Sequence, residues 1–155
     1  MRTAVARTRV VLAPTEALRL WSDTGRWATF VEGFARLLER SADWPAPESR
    51  VVWESTPGGR GRVTEKVTES GPEGFATMVF EDALAGRQTL RAIPAGEGSE
   101  VQLSLEYTLT RYGPFGPIAD ALFIRRALRD ALRRTLARFA VEAEEEAGLR
   151  EPEVR

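Results

Sequence analysis

Five strand-like segments follow one another in the middle of the chain, each separated from the next by a few turn-forming residues. The separators are rich in Gly, Pro, Ser and Ala, as in Pro57-Gly58-Gly59 and Ser70-Gly71-Pro72. Consecutive strands on such short connections pair as an antiparallel meander, because parallel pairing needs a much longer crossover. The segments cover residues 50–56, 60–69, 75–82, 87–93 and 100–110.

The last of these segments alternates most regularly, and a long helix follows it. One strand face carries only large apolar or aromatic side chains: Val101, Leu103, Leu105, Tyr107 and Leu109. A helix is predicted from about Ile118 to Glu146, which at 1.5 Å per residue is roughly 43 Å. Its apolar stripe consists of Ile118, Ala121, Leu122, Leu128, Leu132, Leu136 and Phe139. We expect so long a helix to organise the domain, with the sheet curved around it.

The part of the chain before the meander adds a strand and two helices. Residues 3–12 alternate and predict a strand, and a short helix is predicted from Glu16 to near Gly25. A second helix is predicted from about Arg26 to Arg40, on the spacing of its apolar residues. The expected fold is therefore α+β: a curved antiparallel sheet of six to seven strands wrapped around a long C-terminal helix, with two short helices after the first strand. One domain is expected over 1–147, with a flexible tail at 148–155.

The chain of 155 residues contains no Cys and no His. Disulfides, thiol nucleophiles, Ser–His triads and the common Cys or His metal sites are therefore excluded, and we expect no metal and no cofactor. An enzyme of this composition would work with Asp, Glu, Tyr, Arg, Lys, Ser or Thr. The missing residue types favour a binding protein over an enzyme.

The charges nearly balance, with 22 basic and 23 acidic residues and a net charge of −1. This argues against an electrostatic nucleic-acid partner. No apolar run approaches the ~20 residues of a membrane-spanning helix, and arginines interrupt the N-terminus where a signal peptide would be apolar. We therefore expect a cytoplasmic protein without a transmembrane segment, present as a monomer or a homodimer.

Three stretches of the chain carry motifs of a known family: VVLAPTEALRLWSDTGRWATFVEGF at 10–34, VVWESTPGGRGRVTEKV at 51–67, and EYTLTRYGPFGPIADALFIRRALRDALRRTLARF at 106–139. The first contains a strand, an Ala-Pro helix entry and then Trp21 and Asp23; the last contains Tyr-Gly-Pro at 112–114 before the long helix. With these motifs the chain resembles the START-like superfamily, also called SRPBCC, and within it the polyketide cyclase/dehydrase and lipid-transport group. These motifs are structural, so they point to the helix-grip fold and say little about the ligand.

The resemblance implies a deep cavity between the concave sheet face and the C-terminal helix, in which members bind hydrophobic molecules. It leaves three functions open. The first is the binding of a small hydrophobic molecule, such as a lipid or a polyketide, with little or no catalysis. The second is a polyketide cyclase/aromatase-type enzyme acting on such a molecule. The third is a protein-partner-binding module that uses the basic helix face or the aromatic residues of the short helices.

Three polar residues on otherwise apolar faces are the tentative catalytic candidates of the enzyme hypothesis. Arg125 interrupts the helix stripe and either points into the cavity, to hold an anion, or extends to solvent. Glu65 shares a strand face with Val63 and Val67, and either pairs with Arg125 inside the cavity or lies at the sheet edge in solvent. Tyr107 either donates a hydrogen bond to a ligand or is a core aromatic residue.

The remaining ligand-binding candidates are apolar residues and one amide. Phe30, Val31 and Phe34 are expected to form a lid over the cavity, unless they only pack on the sheet. Residues of the strands and the long helix would line its walls: Gln88, Leu90, Leu103, Leu105, Leu122 and Leu128.

Overall fold

The structure, a computed structural model, describes residues 2–111 and 113–150. Its seven strands form one antiparallel sheet in the order β1-β7-β6-β5-β4-β3-β2. Strands β3 to β7 form the expected meander. Strand β1 pairs with β7 and is one edge strand of the sheet. The strands are β1 (Arg2–Val10), β2 (Phe34–Arg40), β3 (Arg50–Ser55), β4 (Arg62–Gly71), β5 (Gly74–Phe80), β6 (Leu84–Ala95) and β7 (Gly98–Leu109).

The helices occupy two places in the chain, after β1 and after β7. Helix α1 (Pro14–Ser22) has Pro14 in its first turn, where the fixed φ of proline suits a helix start and no amide hydrogen is needed. A 3-10 turn over Thr24–Arg26 and the single helical turn α2 (Trp27–Phe30) follow. After β7 come a 3-10 turn over Gly113–Phe115, α3 (Gly116–Ala119), a π-helical turn over Asp120–Ile124, and the long α4 (Arg125–Arg150).

The predicted helix from Arg26 to Arg40 is wrong in its second half. Its helical part ends at Phe30, and Gly33 has a φ of +74°, a conformation that glycine adopts without strain. The chain then reverses into β2, an edge strand that pairs with β3 and contains two register shifts. Apolar residues spaced by three and four positions fit a helix, but here backbone pairing with β3 decides the structure.

The C-terminal end of α4 extends three residues into the predicted tail. The guanidinium of Arg150 is 2.9 Å from the carboxylate of Glu146 and 3.3 Å from that of Glu16 on α1. Residues 151–155 of the predicted tail, and Tyr112 of the quoted motif, lie outside the described residues.

The core lies between the sheet and the part of α4 that begins at Leu132. Leu132, Leu136, Phe139 and Ala143 of α4 are all buried. Phe139 contacts Trp21 of α1 and Phe30 of α2, with ring centroids 5.1 Å from its own in both cases. This packing fixes α4 over the sheet at its C-terminal half.

No helix within residues 2–111 and 113–150 has the length and hydropathy to cross a bilayer.

Gly86 in β6 permits the close approach of β7. A Cβ atom at this position would be 2.1 Å from the carbonyl oxygen of Glu106, which belongs to the backbone and cannot move away alone. We therefore expect Gly86→Ala to lower the free energy of unfolding by about 1–3 kcal/mol through overpacking. Gly71→Ala is the matched control, because a Cβ there meets no atom within 4 Å. Equal urea midpoints for the two variants would contradict this account.

Candidate functional site

A cavity of about 880 Å³ lies between the sheet and the first half of α4. The side chains that line it from the sheet are Trp53, Glu65, Gln88, Leu103 and Leu105, from strands β3, β4, β6 and β7. Those that line it from the helical side are Phe123, Ile124, Ala127, Leu128, Ala131, Leu132 and Thr135. Exposed residues mark its opening, among them Gly58, Asp82, Arg111 and Phe123.

Glu65 is a deeply buried carboxylate in the cavity wall, at 7% exposure. Its Oε2 accepts a hydrogen bond of 2.8 Å from the indole Nε1 of Trp53. Its Oε1 accepts longer bonds of 3.3 Å from the hydroxyl of Thr77 and from the amide of Gln88. Burial raises the pKa of Glu65 above its ordinary value, while the bond from Trp53 and the charge of Arg60 act in the opposite direction.

Arg60 also lines the cavity and packs on the ring of Trp53, the residue that donates to Glu65. Its guanidinium carbon lies 5.2 Å from the centroid of the Trp53 ring, within cation–π range. Its Nε also donates to the carboxylate of Glu81, a side chain that is only 4% exposed. Burial raises the pKa of Glu81, and Arg60 opposes that rise. We call Glu65, Trp53, Arg60 and Glu81 the polar arc of the cavity.

Six of the predicted ligand-binding residues line this cavity. They are Val31, Glu65, Gln88, Leu103, Leu105 and Leu128. The alternation of β7 places Leu103 and Leu105 on the face toward the cavity, as expected. In β4, Glu65 lies on the same buried face as Val63 and Val67. The alternative of a Glu65 in solvent at the sheet edge is wrong.

The other aromatic and aliphatic candidates lie elsewhere. Phe30 is fully buried in the cluster with Trp21 and Phe139, and Phe34 packs between Trp27 and Trp53, so neither has the free lid position that was expected. Leu90 belongs to the core on β6 and lines a separate groove of about 420 Å³ beside the β4–β5 hairpin.

Leu122 and Arg125 are outside the cavity because α4 uses two neighbouring faces. The predicted stripe is buried only from Leu132 onward, and at its start Leu122 is 62% exposed. The face that lines the cavity carries Ile124, Ala127, Leu128, Ala131 and Thr135 instead. The side chain of Arg125 is 54% exposed and lies 3.4 Å from the carboxylate of Asp120, so the alternative in which it pairs with Glu65 inside the cavity is wrong.

Tyr107 and Arg125 meet a different carboxylate, that of Asp120, which the sequence analysis missed. Asp120 is 1% exposed and accepts a hydrogen bond from the Tyr107 hydroxyl. It also lies 2.8 Å from Nε of Arg2 and 3.4 Å from a guanidinium nitrogen of Arg125. Burial, with the Asp120 carboxylate, raises the pKa of Tyr107 to about 12. The sequence signal was a single acid among Ile118, Ala119, Ala121 and Leu122.

We call Asp120, Tyr107, Arg2 and Arg125 the Asp120 cluster; it fixes the start of the helical segment that leads into α4. Asp120 begins the π-helical turn, so its contacts join that turn to the start of β1 and the end of β7. Tyr107 and Arg125 are thereby structural partners rather than cavity side chains. The polar arc, in contrast, depends on Arg60 and Glu81, which lie in or next to hairpin connections. The sequence analysis placed Arg60 and Glu81 in strand-like segments, 60–69 and 75–82, and named neither as a site residue.

We expect Asp120→Ala to lower the free energy of unfolding by about 2–4 kcal/mol, because it leaves Tyr107 and Arg2 without their buried acceptor. Asp130→Ala is the control on the same helical segment. Asp130 is 43% exposed at its side chain and its partner Arg133 is 4.0 Å away, so an effect below about 1 kcal/mol is expected. Urea denaturation at neutral pH measures both changes. Similar midpoints for the two variants would refute the role of Asp120.

Glu65→Gln tests the environment of the buried carboxylate through pH. Because the pKa of Glu65 is raised in the folded state, the folded chain binds more protons than the unfolded chain above about pH 4.5, and this group costs stability as the pH rises. We expect the melting temperature of Glu65→Gln, relative to the unmodified protein, to increase between about pH 4.5 and pH 8. Glu69→Gln, at an exposed position of the same strand, is the matched control. A flat difference for Glu65→Gln would contradict the raised pKa.

Comparisons with known proteins agree with this architecture. A family model described as polyketide cyclase/dehydrase and lipid transport matches residues 1–144. The chain therefore belongs to this family. No curated protein matches the sequence.

Solved structures share the fold at low sequence identity. TTHA0849 from Thermus thermophilus superimposes with a TM-score of 0.73 at 19% identity, over 94% of this chain and 99% of its own. A START superfamily protein from Mycobacterium smegmatis gives 0.72 at 14% identity, over 92% and 97%. The di-domain ARO/CYC StfQ of the steffimycin biosynthetic pathway gives 0.73 at 17% identity, over 94% of this chain and 51% of its own. These likenesses show that the chain shares the fold of the three proteins.

Proposed function

We propose that the protein binds a small hydrophobic molecule in the cavity between the sheet and α4. The observation that carries the proposal is the cavity itself, whose wall includes the apolar side chains of Leu103 and Leu105 on β7 and of Leu128 on α4. Apolar walls solvate water poorly, so an apolar ligand that replaces water there gains free energy in proportion to the area it buries. A volume of about 880 Å³ suits a molecule the size of a lipid or a polyketide.

The polar arc supports selectivity within such a site. Binding cavities are commonly apolar with a few fixed polar groups that orient the ligand. Here Glu65 and Gln88 lie in the sheet wall, and hydrogen bonds to Trp53 and Thr77 restrain the Glu65 side chain. A ligand would therefore place its apolar body against the leucines and its polar group against these two residues.

Filling the cavity tests this proposal. Ala131→Phe adds a ring to a side chain that lines the cavity, so we expect it to weaken binding of the fluorescent probe N-phenylnaphthylamine at least about tenfold. Ala137→Phe on the exposed side of the same helix should bind the probe as the unmodified protein does. Saturable fluorescence enhancement measures the dissociation constants. Absence of saturable binding, or equal binding by both variants, would rule out a hydrophobic ligand in this cavity.

A cyclase-type enzyme is the second candidate, and the buried Glu65 favours it. A carboxyl group with a raised pKa at the wall of an apolar cavity is suited to accept or donate a proton. Likeness in fold to StfQ, an ARO/CYC protein, agrees with this candidate. Arg125 and Tyr107 are no longer part of it, because both belong to the Asp120 cluster. In an enzyme, Glu65→Gln would abolish turnover of a poly-β-ketone, whereas Glu69→Gln, at an exposed position of the same strand, would leave turnover unchanged.

The aromatic residues of the short helices do not favour a partner-binding module. Trp27 and Phe30 are buried, so they offer no surface to another protein. On the basic side of α4, Arg134 and Arg138 are paired with Glu32. We therefore put the cavity ahead of these surfaces as the functional site.

A further inference from the structure

We propose that the ligand presents a hydrogen-bond donor, a protonated amine or a hydroxyl group, to Glu65 at the inner end of the cavity. This inference rests on the proposed function and specifies the polar group of the molecule bound there. It follows from the partners of Glu65, from the distribution of charge over the cavity wall, and from the apolar surroundings of the carboxylate.

Glu65 has a free position for one more donor. An ionised carboxylate offers about four lone-pair sites. Thr77 and Gln88 both donate to Oε1, and Trp53 alone donates to Oε2. One site on Oε2 is therefore left, on a side chain that is more than nine-tenths buried and lines the cavity. A donor on the ligand would complete the set.

All three existing partners of Glu65 are neutral, so its charge is not compensated by an ion pair. Among residues 2–111 and 113–150, no Arg or Lys lies within salt-bridge distance of its carboxylate. The nearest influences are the attraction of Arg60 and the repulsion of Glu81, which already pair with each other. Strand β5 contributes Thr77, β6 contributes Gln88, and β7 and α4 face the cavity with Leu103, Leu105 and Leu128.

Within the described residues, the other charged groups of the wall form no ion pair with Glu65 when it is ionised. Glu32 is neutralised by Arg134 and Arg138 on α4. Arg111 and Asp82 are exposed at the opening, away from the buried end. A ligand carboxylate at the inner end would therefore face Glu65 without a cation to separate the two charges. An amine or hydroxyl at the same place would form a charge-assisted hydrogen bond, which is stronger than one between neutral groups.

Four probes that share a naphthalene ring system test the inference: naphthylethylamine, naphthylethanol, naphthylacetate (the carboxylate of naphthaleneacetic acid) and ethylnaphthalene. At about pH 7.5 we expect the amine to bind the unmodified protein at least about tenfold more tightly than ethylnaphthalene, with the alcohol between them. Glu65→Gln should remove most of the advantage of the amine and leave the affinity for ethylnaphthalene unchanged. Glu69→Gln, on the exposed side of β4, should change neither. Calorimetry or naphthalene fluorescence provides the dissociation constants.

A second variant keeps the carboxylate and supplies an internal cation. Gln88→Lys would place an ammonium group where an amide now donates to Glu65, so it should abolish the preference for the amine even if Glu65→Gln fails to fold. The pH dependence is a further readout. Because amine binding needs the ionised carboxylate and the pKa of Glu65 is raised, affinity for the amine should increase between about pH 5 and pH 8 and stay flat in Gln88→Lys.

The outcomes separate this inference from the proposed function. Binding of all four probes with equal affinity, or a Glu65→Gln change that affects ethylnaphthalene as much as the amine, would overturn the inference and leave a hydrophobic cavity in place. Tightest binding of naphthylacetate would also overturn it, since an acid would then be the preferred group. If none of the four probes binds, both the inference and the proposed function fail.

Discussion

The packing of Phe139 against Trp21 and Phe30 is the interaction on which the cavity depends. It anchors the C-terminal half of α4 to the helices that follow β1, and each aromatic pair adds about 0.5–1.5 kcal/mol beyond the area it buries. At the other end, the Asp120 cluster anchors the π-helical turn to β1 and β7. Between these two anchors α4 presents small side chains, Ala127 and Ala131, to the concave sheet. Such residues do not reach far enough to fill the space, and a cavity remains.

Much of the fold follows from local patterns in the sequence. The alternation over β7, the turn residues between strands and the apolar spacing of the final helix are patterns among residues that are close in the sequence. Such patterns can be recognised without knowing which distant segments pair. Residues 26–40 mark the limit, because their spacing suits a helix and only pairing with β3 makes the second half a strand. Seven strands rather than six result from that pairing.

The functional site was less accessible to sequence reasoning, and the reasons differ from residue to residue. Glu65 could be placed because its strand alternates and its neighbours Val63 and Val67 are buried. Arg125 could not, because a helical wheel describes one stripe, whereas α4 turns one face to the core and a neighbouring face to the cavity. Arg60 and Glu81 are far apart in sequence and meet only because β4 and β5 are paired, bringing the two hairpin connections together.

The central claim is that an open volume separates the leucines of β7 from α4, and a crystal structure determined under xenon pressure tests it most directly. Xenon binds against apolar side chains inside protein cavities and is visible by its strong scattering. The account predicts xenon, or electron density for a co-purified organic molecule, between Leu105 and Leu128. Van der Waals contact between those two side chains, with neither xenon nor ligand density beside them, would contradict it.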